Sequence, residues 1–140
     1  MRPDWKRLEQ AARDAAARAH CPYSRYRVGA ALLTADGTVV TGCNVENASY
    51  GATLCAERVA LARAIAEGHR AFAALVVAAG NVAPATPCGI CRQVLAEFCP
   101  PAMPVRCVPL VDAGAPPVAI TLGALLPHAF NLRASPPPKD

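Results

Sequence analysis

Three cysteines and a glutamate, split between two short stretches, constrain this chain more than anything else in it. The stretches are Thr53-Leu54-Cys55-Ala56-Glu57-Arg58 and Pro87-Cys88-Gly89-Ile90-Cys91-Arg92. Cysteines at C-x-x-C spacing can hold one metal ion from the first turn of a helix. A third cysteine from elsewhere leaves a tetrahedral zinc one protein ligand short, which is the open position of a catalytic site rather than the closed set of a structural one. Glu57, two residues past Cys55, stands beside such a metal and not on it. A carboxylate there can carry protons to and from a metal-activated water. The fold must therefore bring two helix starts to one point.

Each piece has a plainer reading when taken alone. Cys88 and Cys91 fit a buried pair or a redox motif equally well. Glu57 fits a first-turn glutamate favoured by the helix dipole. The combination favours an open zinc site. Cys21, Cys43, Cys99 and Cys107 each offer a fourth thiol in principle, but no spacing ties them to the motif, and they read as buried or interface cysteines. Three thiolates give zinc a net charge of about −1, which opposes ionisation of a bound water. Two helix N-termini, each worth about half a positive charge, offset it.

The frame follows from periodicity. Trp5, Leu8, Ala12, Ala15 and Ala19 mark one face of a helix over 4–20, capped by Asp4 and stopped before Pro22. A strand over 28–34, the Asp36-Gly37 turn and a strand over 38–43 make an antiparallel hairpin. A polar loop over 44–53 leads into a second helix ending at Glu67 and Gly68. The apolar run 72–79 reads as a central strand. A third helix over 88–98 joins it to a parallel strand over 105–111. The link from Asp112 to Pro117 is too short for a parallel crossover, so 118–121 returns antiparallel. Thr121 caps a short helix to Leu126. The expected architecture is α/β: a mixed five-stranded sheet between helices in three layers.

The chain has 140 residues, enough for one domain, expected over 1–130, with an irregular Pro-rich tail over 131–140. Its apolar content of 54% comes mainly from small residues, which favours burial at subunit contacts. The net charge of +4 is scattered over separated arginines, unlike the clustered charge of a nucleic-acid binder. The N-terminus lacks the apolar stretch of a signal peptide, and no run is long enough to span a membrane. Seven cysteines in such a chain point to metal chemistry in the cytoplasm.

Cys55-Ala56-Glu57 with Pro87-Cys88-Gly89-Ile90-Cys91 matches the known signature of zinc deaminases, with Cys in place of His. Further segments extend the match: Cys21-Pro22-Tyr23-Ser24, Val28-Gly29-Ala30-Ala31-Leu32, Gly42 to Tyr50, Cys91-Arg92-Gln93-Val94-Leu95 and Leu125-Leu126-Pro127. From Cys21 to Phe130 the chain resembles cytidine deaminases, specifically the small homotetrameric type with three cysteine ligands. The resemblance implies the cytidine-deaminase-like three-layer fold and one Zn²⁺ per chain on Cys55, Cys88 and Cys91. It implies hydrolysis of cytidine and 2′-deoxycytidine to uridine and 2′-deoxyuridine with release of ammonia, in pyrimidine salvage. Water activated on zinc attacks C4, and Glu57 moves the protons.

The same resemblance implies that Arg58 donates hydrogen bonds to the cysteine sulfurs, a role in which Arg92 is a second candidate. It implies that Asn44 and Glu46 bind the ribose hydroxyls and that the Ala56 N–H contacts the base. Glu46 would repel a 3′-phosphate, which favours free nucleosides over polynucleotides. Tyr26 falls where relatives place a Phe beside the substrate. Phe130 and Tyr50 match aromatics reaching the site from neighbouring subunits, so a homotetramer would complete it. The three histidines match no ligand position. The short link before 118–121 is that of free-nucleoside enzymes. Two alternatives are a deaminase of a modified cytosine nucleoside of the blasticidin S type and a non-catalytic zinc-stabilised interaction module.

Overall fold

Asp4 starts the first helix as its sequence suggests: its carboxylate accepts from the Arg7 N–H at 3.2 Å. In the computed structural model, which describes residues 2–112 and 114–132, helix α1 runs Trp5–Ala16 and buries Leu8, Ala12, Ala15 and Ala16. Strands β1 (Val28–Thr34) and β2 (Val39–Cys43) form the hairpin, with Gly37 at φ 92° in its turn. Helix α2 spans Ala56–Ala66, β3 Phe72–Ala79, α3 Gly89–Phe98, β4 Pro104–Val108, β5 Val118–Thr121 and α4 Leu122–Leu125.

The sheet order is β2-β1-β3-β4-β5. Only the β3–β4 pair is parallel, and α3 connects it, while β5 returns antiparallel to β4. Alternation along β1 divides the core. Ala31 and Leu33 face α1 in one cluster with Leu8, Ala12 and Val76. Ala30 and Leu32 belong to the other, with Ala60 and Leu61 of α2 and Leu95 of α3. The three-layer α/β/α fold with a mixed five-stranded sheet is therefore the observed one.

Small residues set how closely the layers approach. A Cβ on Gly29 of β1 would lie 1.8 Å from the carbonyl oxygen of Ala12. One on Gly42 of β2 would lie 2.4 Å from the Ala60 nitrogen and 2.6 Å from the Ala56 oxygen. Helix α2, which begins beside Cys55, thus rests directly on the β2 backbone. Neither neighbour is a flexible side chain, so Gly29→Ala is expected to cost about 3 kcal/mol or more, the upper end for overpacking. Thermal unfolding measures this, and an unchanged melting temperature would contradict the close α1–β1 contact.

Element ends differ from the periodicity by more than one residue in three places. Helix α1 stops at Ala16 and not at residue 20, because His20 joins a short pairing: its N–H donates to the Asn44 carbonyl (3.0 Å) and its carbonyl accepts from the Glu46 N–H (2.8 Å). Helix α2 starts at Ala56 because Leu54 is held extended by two 2.9 Å bonds to Val45; the loop before it contains a 3₁₀ turn at Tyr50–Ala52. Strand β4 ends at Val108, after which the Leu110 N–H turns to the Gly80 carbonyl. Thr121 caps α4 as expected, accepting from the Ala124 N–H at 3.2 Å. The expected tail falls mostly on 133–140, outside the described residues. Among the described residues no helix is long and apolar enough to cross a membrane.

Candidate active site

Cys55 is the N-cap of α2 and Cys88 the N-cap of α3, so the two helices start at one point. Cys91, one turn into α3, completes the group. The three sulfurs lie within 4.8 Å of one another, and no fourth His, Cys, Asp or Glu joins them among the described residues. The Cys55–Cys88 separation is 3.8 Å. Two thiolates at about 2.3 Å from a tetrahedral zinc lie about 3.8 Å apart, so this edge already has the spacing zinc requires. The Cys91 N–H donates to the Cys88 sulfur at 3.5 Å.

Charge around the sulfurs favours a thiolate at Cys55. The Cys55 thiol is pulled down to about 5, first by a hydrogen bond from Cys91 and then by Arg58 and Cys88 against the opposing effect of burial. Cys91 moves the other way, because it keeps the proton that Cys55 accepts and because it is buried. Without a metal the pair thus shares one proton, and a dication takes over the part that proton plays. The Arg58 guanidinium reaches the Cys55 sulfur (3.6 Å) and the Thr53 carbonyl (3.2 Å). Its pKa is raised, chiefly by Cys55. Its Nε is buried with no hydrogen-bond partner, a donor suited to a thiolate sulfur. Three soft donors, two helix starts and a spare guanidinium N–H fit one zinc with an open fourth position.

Glu57 is 4% exposed on the first turn of α2. Burial, more than the nearby Cys55 charge, pushes its carboxyl upward. A buried carboxyl that readily holds a proton suits general acid–base work. Glu57, Cys55 and Cys88 all line one cleft of about 300 Å³, so the side not closed by protein faces that cleft. Ala56 is also there, and its N–H belongs to the first helical turn, where no intrahelical carbonyl can accept it.

Asn44, Glu46 and Tyr26 line the same cleft. Both ends of the Asn44 amide are anchored: Nδ2 donates to the Tyr26 carbonyl (2.8 Å) and Oδ1 accepts from the Val28 N–H (2.9 Å). One amide hydrogen and one lone pair remain for a ligand. Glu46 Oε1 accepts from the N–H groups of Tyr23 (3.0 Å) and Ser24 (3.1 Å), and Oε2 accepts from the Ser24 hydroxyl. The Ser24 hydroxyl is the main reason its carboxyl sits below the ordinary range.

Two expected contributors lie elsewhere. Tyr50 is 77% exposed and packs edge-on to Tyr23, with ring centroids 6.1 Å apart. Phe130 is 66% exposed and lines a different groove with Leu126 and Pro127. Neither lines the cleft of its own chain. Arg92 bonds no sulfur; its guanidinium donates to the carbonyls of Pro87 (2.6 Å) and Leu125 (2.8 Å) and to the Thr86 hydroxyl (3.0 Å). It clasps the Cys88 loop to α4. Cys21, Cys99 and Cys107 are buried and Cys43 is half-buried, all outside the sulfur cluster. Burial pushes Cys99 up to about 12 and Cys107 to about 11, so both stay thiols.

Sequence reasoning missed Ser24, Thr53 and Thr86 among the cleft residues. Ser24 had a signal in its short spacing to Tyr26 and in the polar character of a loop that must turn. Thr86 had none.

Comparison with known proteins points to one family. The family described as "Cytidine and deoxycytidylate deaminase zinc-binding region" matches residues 3–107. A cytidine deaminase of Sporosarcina psychrophila is 45% identical over 128 residues, 91% of this chain and 92% of the relative. The crystal structure of cytidine deaminase from Burkholderia pseudomallei superposes with a TM-score of 0.84 at 46% identity, covering 89% of this chain and 98% of that one. A blasticidin-S deaminase of Bacillus cereus is more distant, at 25% identity over 116 residues, 77% of this chain and 79% of the relative.

Proposed function

The chain belongs to the cytidine and deoxycytidylate deaminase family as a zinc-dependent hydrolytic cytidine deaminase, and from that premise we propose how its residues divide the work and that it takes both cytidine and 2′-deoxycytidine. The observation that carries the reading is the three-sulfur group with its open side on a cleft that also holds Glu57, Asn44 and Glu46.

Cys55, Cys88 and Cys91 would hold the zinc, which would supply a Lewis acid able to make water nucleophilic near neutral pH. Glu57 would accept a proton from the attacking water and deliver it to N3 of the pyrimidine, then take the second proton from the new C4 hydroxyl and deliver it to the departing amino group. Its burial beside the sulfurs supports that role, since a carboxyl kept from solvent exchanges protons with what is bound next to it. The Ala56 N–H orients the base. The remaining hydrogen and lone pair of Asn44 and the free lone pairs of Glu46 read the sugar hydroxyls. A donor and an anionic acceptor suit a diol and oppose a 3′-phosphate. Arg58 spreads the thiolate charge by hydrogen bonding, and Tyr26 flanks the substrate.

Phe130 and Tyr50, exposed and not lining their own cleft, support completion of the site by neighbouring copies in a homotetramer. All seven cysteines are free, which suits a reducing compartment and supports a cytoplasmic enzyme of pyrimidine salvage acting on free nucleosides.

The test is ultraviolet absorbance of cytidine with protein carrying one zinc per chain. Cytidine and 2′-deoxycytidine should lose their chromophore while cytosine and cytidine 3′-monophosphate keep theirs. Light scattering at the assay concentration should give a tetramer. Unchanged cytidine would refute the assigned roles, and turnover by a monomer would refute the shared site.

A further inference from the structure

The two sugar-reading side chains are joined to each other through a serine that takes no part in the chemistry. Ser24 donates its hydroxyl hydrogen to Glu46 Oε2 and accepts from the Tyr26 N–H at 3.0 Å. The Tyr26 carbonyl in turn accepts from Asn44 Nδ2 at 2.8 Å. The path Glu46–Ser24–Tyr26–Asn44 is continuous and runs along one wall of the cleft. It ties the loop before β1 to the loop after β2, which are also joined by the two backbone bonds at His20, by the Tyr23 and Ser24 N–H groups on Glu46 Oε1, and by the Tyr23–Tyr50 ring contact.

We propose that Ser24 is a positioning residue for sugar recognition, fixing the Glu46 carboxylate directly and the Asn44 amide through the Tyr26 peptide. This inference rests on the sugar-reading role given above to Asn44 and Glu46. A serine hydroxyl has one hydrogen and two acceptor sites. Ser24 has its hydrogen on Glu46 and one acceptor site on Tyr26, so it has no donor left for the substrate. Its effect reaches the nucleoside through its neighbours. Glu46 is a flexible side chain at the cleft edge, and a hydrogen bond to a charged group is the stronger kind. With the hydroxyl gone, Oε1 keeps its two backbone donors but Oε2 is free to turn to water, and that oxygen must be ordered again each time a sugar binds. The Tyr26 N–H loses its acceptor in the same step, which loosens the peptide on which Asn44 depends.

Steady-state kinetics of Ser24→Ala on cytidine and on 2′,3′-dideoxycytidine tests this. With cytidine, KM should rise about tenfold, the range for one hydrogen bond to a charged group, while kcat stays within about twofold. With the dideoxy analogue, KM should not move. Ser24→Thr, which keeps the hydroxyl, should restore the cytidine value. In a Glu46→Gln background Ser24→Ala should add little. Should Ser24→Ala fail to accumulate folded, Ser24→Cys keeps the shape with a weaker donor and is read in the same way.

An equal rise in KM for both substrates would overturn the proposal, since that is a general loosening of the cleft. A full Ser24 effect persisting in the Glu46→Gln background would overturn it as well. If Glu46→Gln shifts the preference between the two substrates and Ser24→Ala does not, only the Ser24 assignment falls. If Glu46→Gln leaves that preference unchanged, the sugar-reading role itself is wrong, and Ser24 falls with it.

Discussion

Glu57→Gln should reduce kcat for cytidine by at least about 10³-fold, within the range removed with a general acid–base group, while leaving zinc content, melting temperature and KM close to those of the parent. The variant is nearly isosteric, and Glu57 is only 4% exposed on the first turn of α2. What changes is the ability to take a proton at one stage and release it at another. A fall of 10³ corresponds to about 4 kcal/mol of transition-state stabilisation. In the proposed cycle the same carboxyl serves attack, N3 protonation and loss of ammonia, so no other cleft residue should replace it. Asn44 and Glu46 are engaged with backbone donors and acceptors. Residual turnover above about one-tenth of the parent rate would remove Glu57 from the proton path. A large loss accompanied by loss of zinc would mean that its role lies in holding the site together.

The second large effect is expected from Cys88. Cys88→Ala removes a metal donor and the cap of α3 at once. The lost cap alone costs about 1 kcal/mol, and the loss of metal adds more because zinc binding is coupled to folding. Zinc should fall from one per chain to near zero by elemental analysis, and turnover should drop by at least about 10³-fold for want of the Lewis acid. Cys88→Ser separates the two contributions: its hydroxyl can cap α3 but is a poor match for the soft donor set. Its melting temperature should lie above that of Cys88→Ala and close to that of chelator-treated parent. A Cys88→Ala protein with stoichiometric zinc and normal turnover would show that the three-sulfur group is not the metal site.

Much of this was legible in the chain because its strong signals are local. The strands Val28–Thr34, Phe72–Ala79 and Val118–Thr121 have their expected bounds, since runs of Val, Leu and Ala flanked by turn residues leave little choice. The convergence of Cys55, Cys88 and Cys91 followed from their chemistry, which requires them to meet. The misplaced ends arose from long-range pairing. His20, Leu54 and Leu110 are turned by partners at Asn44, Val45 and Gly80, and helical periodicity carries no information about those partners. Arg92, only a second candidate for the sulfurs, goes elsewhere for a related reason. Its position next to Cys91 suggested the sulfurs, yet its guanidinium is taken by three oxygens, one of them 33 residues further on. The anchoring of Asn44 and Glu46 depends on Ser24 and Tyr26, about 20 residues upstream, and the polar, turning character of that loop does not say which side chains it holds.

The Arg92 clasp has a consequence for the order in which the protein is made. Translation delivers Cys55 first, then Cys88 and Cys91 within a few residues of Arg92 itself. The Leu125 carbonyl that completes the clasp emerges only after β4 and β5 have followed. A nascent chain on the ribosome therefore has all its metal donors in hand before it has the strut that holds their loop against the body of the protein. Early in its life the metal-binding loop is tethered from one side only, and it gains its second tether in the last stretch of synthesis.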